Sequence, residues 1–280
     1  IRNGETGSWT MDLRLAAIGK SNDTHEAYTP FYFQLWNVSY LIELFYFSKK
    51  NRKRTVILGL LCLSGGLLTM AKITIMNLFI TSFSLLFFKK VISTKYVIYG
   101  LSALLLTLIL FQSLRYSVKV DEDKANNMLL TYAVSSMSAY ETVKPESSTI
   151  FGDNVFRLFY AIGYKTHITS EKPVDPLLPF VTKPIFTNTY TGMYPFYKDF
   201  GYKGIIIFSI FLGLIYGYIF RKSQKNDPYY LILYAYFCYV ILMQYVADIF
   251  FTNLAGIIKF MILLYLPFSA DKYKILKKNP

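Results

Sequence analysis

The densest group of side chains capable of chemistry lies at residues 186–201, which read FTNTYTGMYPFYKDFG. This stretch combines amide, hydroxyl and phenol groups with the charges of Lys198 and Asp199. Aromatic rings beside hydrogen-bonding groups suit a sugar, whose ring has apolar faces and hydroxyl edges. A second interpretation is an aromatic belt at a membrane interface, with Asp199 as a helix cap. Composition alone leaves both interpretations open.

Charged side chains that could stabilise a leaving anion or accept a proton are spread along the chain. A group-transfer reaction needs cations near the developing negative charge and a base within reach of the attacking hydroxyl. The cationic candidates are Arg2, Arg14, Lys72, Arg115, Arg157, Lys183 and Lys198, and the candidate bases are Asp153, His167, Asp199 and Asp248. Simpler roles are also open: Lys72 as a lipid-headgroup anchor, Arg157 as a partner of Asp153 four residues earlier.

Cofactor and metal sites have no signature in the sequence. It contains no Walker loop, dinucleotide fingerprint or nucleophile elbow. The two histidines are far apart, and Cys62 and Cys238 each lie inside an apolar block. We therefore expect neither a cofactor nor a metal ion.

Composition predicts the fold class. Hydrophobic residues make up 54% of the chain and charged residues only 17%, whereas soluble domains are about 25% charged. The net charge of +13 lies beside the apolar blocks, which is typical of membrane topology and argues against nucleic acid as a partner. The sequence predicts an all-α, polytopic membrane protein.

Seven apolar segments are long enough to be candidate spans. They are Thr29–Phe47, Thr55–Met70, Ile73–Phe88, Tyr96–Leu114, Tyr202–Phe220, Tyr229–Ala247 and Phe250–Leu266. The second and third form one apolar stretch that is too long for a single crossing, and Lys72 is the only charge in it. A hairpin broken at Lys72 places all four basic loops on one side of the membrane. These loops are residues 49–54, 89–95, 221–228 and 271–280. The positive-inside rule assigns that side to the cytoplasm.

The segment 115–201 is then a large extracytoplasmic loop. Apolar residues recur at helical spacing in it and predict two helices on or in the outer membrane face. They are Leu129, Leu130, Ala133, Val134, Met137 and Tyr140, then Phe151, Val155, Leu158, Phe159 and Ile162. The chain begins at Ile1 with no signal-like segment, so we expect residues 1–280 to form one membrane domain that is incomplete at its N-terminus.

Residue order within 187–201 adds a resemblance. The runs Thr187-Asn-Thr-Tyr-Thr191 and Pro195-Phe-Tyr-Lys-Asp-Phe-Gly201 resemble the pattern TN-x-YT…RP-[FY]-Y-x-DFG of the bacterial oligosaccharide repeat-unit polymerases, the O-antigen and capsule polymerases known as Wzy. A basic residue in a tight outer turn, here Lys72, and a Phe151-Gly152 pair before a loop helix are also similar. This chain has Tyr194 where the family often has arginine, and Lys72 where arginine is commoner.

The resemblance implies a membrane glycosyltransferase. Such an enzyme would join undecaprenyl-diphosphate-linked oligosaccharide units outside the bacterial cytoplasmic membrane, and a polysaccharide chain-length regulator is a candidate partner. We expect Asp199 and His167 in catalytic roles. We expect the substrate to be bound by Lys72, Arg157, Lys183, Asn188, Tyr190, Tyr194 and Tyr197.

Two other functions stay open. One is a ligase that transfers finished polysaccharide, and the other is a non-enzymatic flippase for lipid-linked oligosaccharide. A flippase would favour mid-membrane charges and repeated broken helices. The predicted spans carry few charges, and no internal repeat is visible.

Overall fold

The described part of the chain is built from helices. The computed structural model describes residues 31–68, 72–96, 98–100, 102, 106, 128–145, 150–175, 178–179, 181 and 187–278. Within these residues the sole β-type pairing is an isolated antiparallel bridge between Val181 and Thr187. The all-α prediction is confirmed for this part of the chain, and Lys183 lies outside it.

Eight helices have defined bounds. They are α1 Phe31–Phe45, α2 Arg52–Leu68, α3 Lys72–Phe88, α4 Met128–Glu141, α5 Arg157–Lys165, α6 Tyr194–Ser223, α7 Pro228–Met243 and α8 Leu254–Lys278. Shorter helical pieces occur at 94–96 and 98–100, around the start of the predicted fourth span. The chain forms two compact units, one of residues 1–121, 222–239 and 263–280, the other of residues 122–221 and 240–262.

The first unit packs α1, α2 and α3 against one another. The Tyr40 hydroxyl of α1 lies 3.0 Å from the Ser82 hydroxyl of α3. A side chain at Gly66 of α2 would come within 2.9 Å of Ile75 in α3. This close approach, on either side of residues 69–71, confirms the predicted hairpin with its break before Lys72.

The basic cluster at residues 49–54, between α1 and α2, is tied back to α1. Glu43 forms an ion pair with Arg54 of this cluster at 3.0 Å. Its Oε2 also accepts from the Asn51 amide at 2.8 Å. The helix start needs correction: α2 begins at Arg52 rather than Thr55, so the cluster forms part of its first turn.

The connection between α7 and α8 is longer than the predicted short turn at Asp248. Helix α7 ends at Met243 and α8 starts at Leu254. The Asp248 carboxylate explains this, since it accepts from the backbone N–H groups of Phe250, Phe251 and Thr252 at 2.8–3.1 Å. Those bonds hold residues 250–252 in a turn, and α8 begins only after it.

Both predicted loop helices are present in the second unit, as α4 and α5. Among the described side chains of α4, Ser135, Ser136 and Ala139 are buried, while Val134 and Met137 are exposed. Around α5, Val155 is buried, whereas Phe151, Phe159 and Ile162 are exposed. Most of the described apolar positions that predicted these two helices are therefore exposed.

Helix α6 is divided by a sharp kink. Gly201 adopts φ 62° and ψ −152°, which is not helical, so residues 194–200 and 202–223 are separate helices. Among the described residues α6 is the one helix long and apolar enough to cross a membrane, and α3, α7 and the apolar part of α8 are shorter. The part after Gly201 is about 33 Å long at about 1.5 Å per residue, which matches a bilayer core.

Candidate functional site

Asp199 is the centre of the candidate site. Its Oδ2 accepts from the backbone N–H groups of Asn154 and Val155 at 3.1 and 2.9 Å. Its Oδ1 accepts from the Asn154 side-chain amide at 2.6 Å. The alternative interpretation, that Asp199 caps its own helix, is therefore wrong: its carboxylate binds the turn that precedes α5.

A second carboxylate lies beside Asp199. The Asn154 amide donates to Asp153 Oδ1 at 2.7 Å as well as to Asp199, so one amide bridges the two acids. Burial, reinforced by Asp153, raises the pKa of Asp199 from 3.8 to about 6, although the donors from Asn154 and Val155 act in the opposite direction. A carboxylate with this pKa is largely ionised at neutral pH and still accepts a proton readily, as a general base must.

The kink at Gly201 brings the two parts of α6 together. Phe196 and Phe208 stack with ring centroids 5.1 Å apart, and Phe200 lies 5.8 Å from Phe208. Phe251, from the connection after α7, contacts Phe196 at 5.4 Å. This aromatic cluster fixes the short helix that carries Asp199.

Arg157 stands at the first position of α5, two residues after the turn held by Asp199. Its Nε donates to the Val174 carbonyl at 2.6 Å and its Nη1 to the Thr252 carbonyl at 3.4 Å. The proposed pairing with Asp153 is not among its contacts with the described residues. Burial lowers the pKa of Arg157, and Asp175 opposes that shift. Two backbone carbonyls thus position the guanidinium, and the Asp175 carboxylate acts on it electrostatically.

Three tyrosines of the motif have different environments. Tyr190 is buried, donates its hydroxyl to the Pro179 carbonyl at 3.1 Å, and packs on the Tyr194 ring at 4.7 Å. Tyr197 lies between the rings of Tyr140 and Tyr202, at 5.4 and 5.0 Å. Tyr190 therefore stabilises the fold of the motif. The side chains of Tyr194 and Tyr197 are only partly buried.

Helix α4 faces the motif through hydroxyl groups. Ser135 lies 3.4 Å from the Thr189 hydroxyl, which lies 2.8 Å from the Thr187 hydroxyl. Ser136 donates to the Tyr245 carbonyl at 2.9 Å. Asn188, between the two threonines, is half-buried and has no side-chain hydrogen bond within the described part of the chain.

Two further predicted residues are His167 and Lys72. His167 is exposed just after α5, with φ 58°, and none of the described residues bonds to its ring. Lys72 begins α3 in the first unit. Asp199, Arg157 and the three tyrosines all belong to the second unit, and the roles of His167 and Lys72 stay predictions.

Sequence reasoning named Asp248 as a candidate base but did not predict that the connection after α7 contacts the 187–201 motif. The Gly192 N–H donates to the Gln244 carbonyl at 2.6 Å, which joins the motif to that connection. Asp248 is buried there, and burial raises its pKa despite the donors from Phe251 and Thr252. A polar pair, Gln244 and Asp248, within an otherwise apolar stretch was the available signal.

The site combines a half-buried carboxylate pair, a cation held by carbonyls and partly exposed tyrosine rings. Among the described residues no group of three or more His, Cys, Asp or Glu could hold a metal ion. The chain matches no protein-family model, no curated protein and no solved structure.

Proposed function

We propose that this chain is a membrane glycosyltransferase that polymerises undecaprenyl-diphosphate-linked oligosaccharide units into O-antigen or capsular polysaccharide. One contact carries the proposal. Asp199 of the DFG sequence binds the backbone directly after Phe151-Gly152, so two separate parts of the resemblance meet at one carboxylate. The turn held by Asp199 leads directly into α5, whose first residue is the cation Arg157.

The chemistry assigns each group a role. An acceptor hydroxyl attacks the anomeric carbon of the donor unit, the bond to the lipid diphosphate breaks, and the hydroxyl proton passes to a base. Asp199, with its pKa raised to about 6, accepts that proton within its pair with Asp153. Arg157 stabilises the charge that develops on the departing diphosphate.

A location in the bacterial cytoplasmic membrane, with at least seven spans, is part of the proposal. The parity of the basic loops supports it, as does the surface of α6. Only 17% of the most apolar stretch of α6 is buried within the chain, and Ile206, Ile210 and Leu214 are each at least 61% exposed. A core helix of a soluble protein would bury such residues, whereas lipid accommodates them.

Reconstitution tests the activity. The purified protein in nanodiscs receives lipid-diphosphate-linked repeat units isolated from a strain that lacks the gene, and the products are separated on a gel. A ladder of polymers, absent with Asp199→Ala, supports the polymerase. Transfer of preformed polymer without ladder formation indicates a ligase, and movement of the lipid across vesicles without bond formation indicates a flippase.

A further inference from the structure

Two buried polar atoms near the motif have no partner among the described residues. They are Thr191 Oγ1 and Gln244 Nε2. Thr191 is only 3% exposed, so solvent does not compensate its hydroxyl. An unsatisfied buried donor or acceptor carries the full cost of its desolvation, and folded chains rarely leave such groups unpaired without a reason.

The two atoms belong to segments in direct contact. The Gly192 N–H donates to the Gln244 carbonyl at 2.6 Å. A Cβ at Gly192 would lie 1.8 Å from Gln244 Oε1, so glycine is needed for this approach. Met193 and Tyr245, the neighbours of Gly192 and Gln244, are 45% and 49% exposed, which places the pair just beneath the surface.

The chemistry of the pair selects its ligand. Gln244 Nε2 is a donor only, while a threonine hydroxyl both donates and accepts. A single ligand hydroxyl can accept from the amide and bond to the threonine. The Gln244 side chain also lies close enough to the Asp248 carboxylate to act against the rise of its pKa. A nearby carboxylate disfavours phosphate and favours an uncharged hydroxyl.

We infer that Thr191 and Gln244 form a subsite for a sugar hydroxyl of the oligosaccharide, beside the Tyr194 ring. The Tyr190 ring supports the Tyr194 ring at 4.7 Å. This inference rests on the proposed function, because it assigns one contact of the proposed substrate. It adds two residues that determine which sugar the site accepts.

Near-isosteric substitutions separate this subsite from a structural role. Thr191→Val removes Oγ1 and Gln244→Met removes Nε2, and each substitution keeps roughly the volume of the side chain. We expect both variants to be as thermally stable as the parent protein without ligand, or more stable. The matched control is Thr187→Val, because the Thr187 hydroxyl is also buried but pairs with Thr189 at 2.8 Å. That variant should lose stability.

Binding is measured by calorimetry with two probes, the free oligosaccharide released from the lipid by mild acid and inorganic diphosphate. Thr191→Val and Gln244→Met should each weaken oligosaccharide binding about tenfold, as expected for one lost hydrogen bond, and leave diphosphate binding unchanged. Unchanged oligosaccharide binding overturns the subsite, as does a stability loss equal to that of Thr187→Val, which would mark a trapped structural water. Oligosaccharide binding without polymer formation by the parent protein overturns the proposed function but leaves the subsite standing.

Discussion

Phe196 and Phe208 stack at 5.1 Å although twelve residues separate them in α6. In a straight helix they would be about 18 Å apart along the axis, at about 1.5 Å per residue. The difference is made at Gly201, whose φ of 62° and ψ of −152° are accessible almost solely to glycine. The last residue of the DFG sequence thus permits the reversal that packs Phe196 and Phe200 on Phe208.

Gly201→Ala should destabilise the second unit by about 1–3 kcal/mol, the usual cost of such backbone strain. No atom lies within 4 Å of an added Cβ at Gly201, so the loss would be conformational and not steric. Gly213→Ala is the matched control, since Gly213 also has open space around its Cβ and an ordinary helical φ. Thermal unfolding in detergent should leave Gly213→Ala unchanged or slightly stabilised. Equal stability of the two variants would contradict this role of Gly201.

The sequence predicted where these helices lie along the chain, and it made no prediction of which face of each is buried within the chain. The break at Lys72 followed from one charge in an apolar stretch, and the two loop helices followed from apolar spacing. That spacing could not show which face is buried, because an apolar face packs inward in water but can face lipid in a membrane. In α4 the buried face carries Ser135 and Ser136.

The bond between Asp199 and the 151–156 turn was equally hidden from the sequence. Asp199 and Asn154 are 45 residues apart in the chain, and local patterns carry no information about such a pairing. The same holds for Gln244, which approaches Gly192 only through the tertiary fold. Residue types identified the chemistry of 187–201, whereas the partners of those residues required the structure.

Asp199→Asn should change the pH dependence of stability. The pKa of Asp199 is raised from 3.8 to about 6 in the folded chain, so the folded state binds its proton more tightly than the unfolded state. Its contribution to stability is therefore present at low pH and lost as pH rises through about 6. As pH rises from 3.8 to about 6, the melting temperature of the parent protein should decrease relative to that of Asp199→Asn.

The same titration acts on activity in the opposite direction, because a general base must be ionised. Polymer formation by the parent protein should rise through pH about 6. Asp199→Asn should also lose about 1–3 kcal/mol of stability. The carboxylate accepts through two oxygens, Oδ2 from the Asn154 and Val155 N–H groups and Oδ1 from the Asn154 side chain, whereas an amide has one accepting oxygen. A stability difference that does not vary with pH would show that Asp199 titrates as in the unfolded chain.

Arg157→Lys should remove most polymer formation. A lysine keeps the charge but lacks the planar fork that reaches the Val174 and Thr252 carbonyls together. Hydrogen bonds from a charged group are worth about 1.5–3 kcal/mol, so a moderate loss of stability accompanies the loss of activity. The matched control is Arg54→Lys, whose exposed pair with Glu43 should contribute less than about 1 kcal/mol. Arg157→Lys with full activity would exclude the guanidinium from the site.

Labelling of single cysteines should place the two ends of α6 on opposite sides of the membrane. Cys62 and Cys238 are first replaced by alanine, and a cysteine is then placed at Glu171 or at Lys225, both of which are exposed. A membrane-impermeant maleimide should label position 171 in intact spheroplasts, because it belongs to the predicted outer loop. Position 225 lies in the basic connection after α6 and should react only after permeabilisation. Labelling of both positions in intact cells would show that residues 202–223 do not cross, and protection of both until lysis would place the whole chain inside the cell.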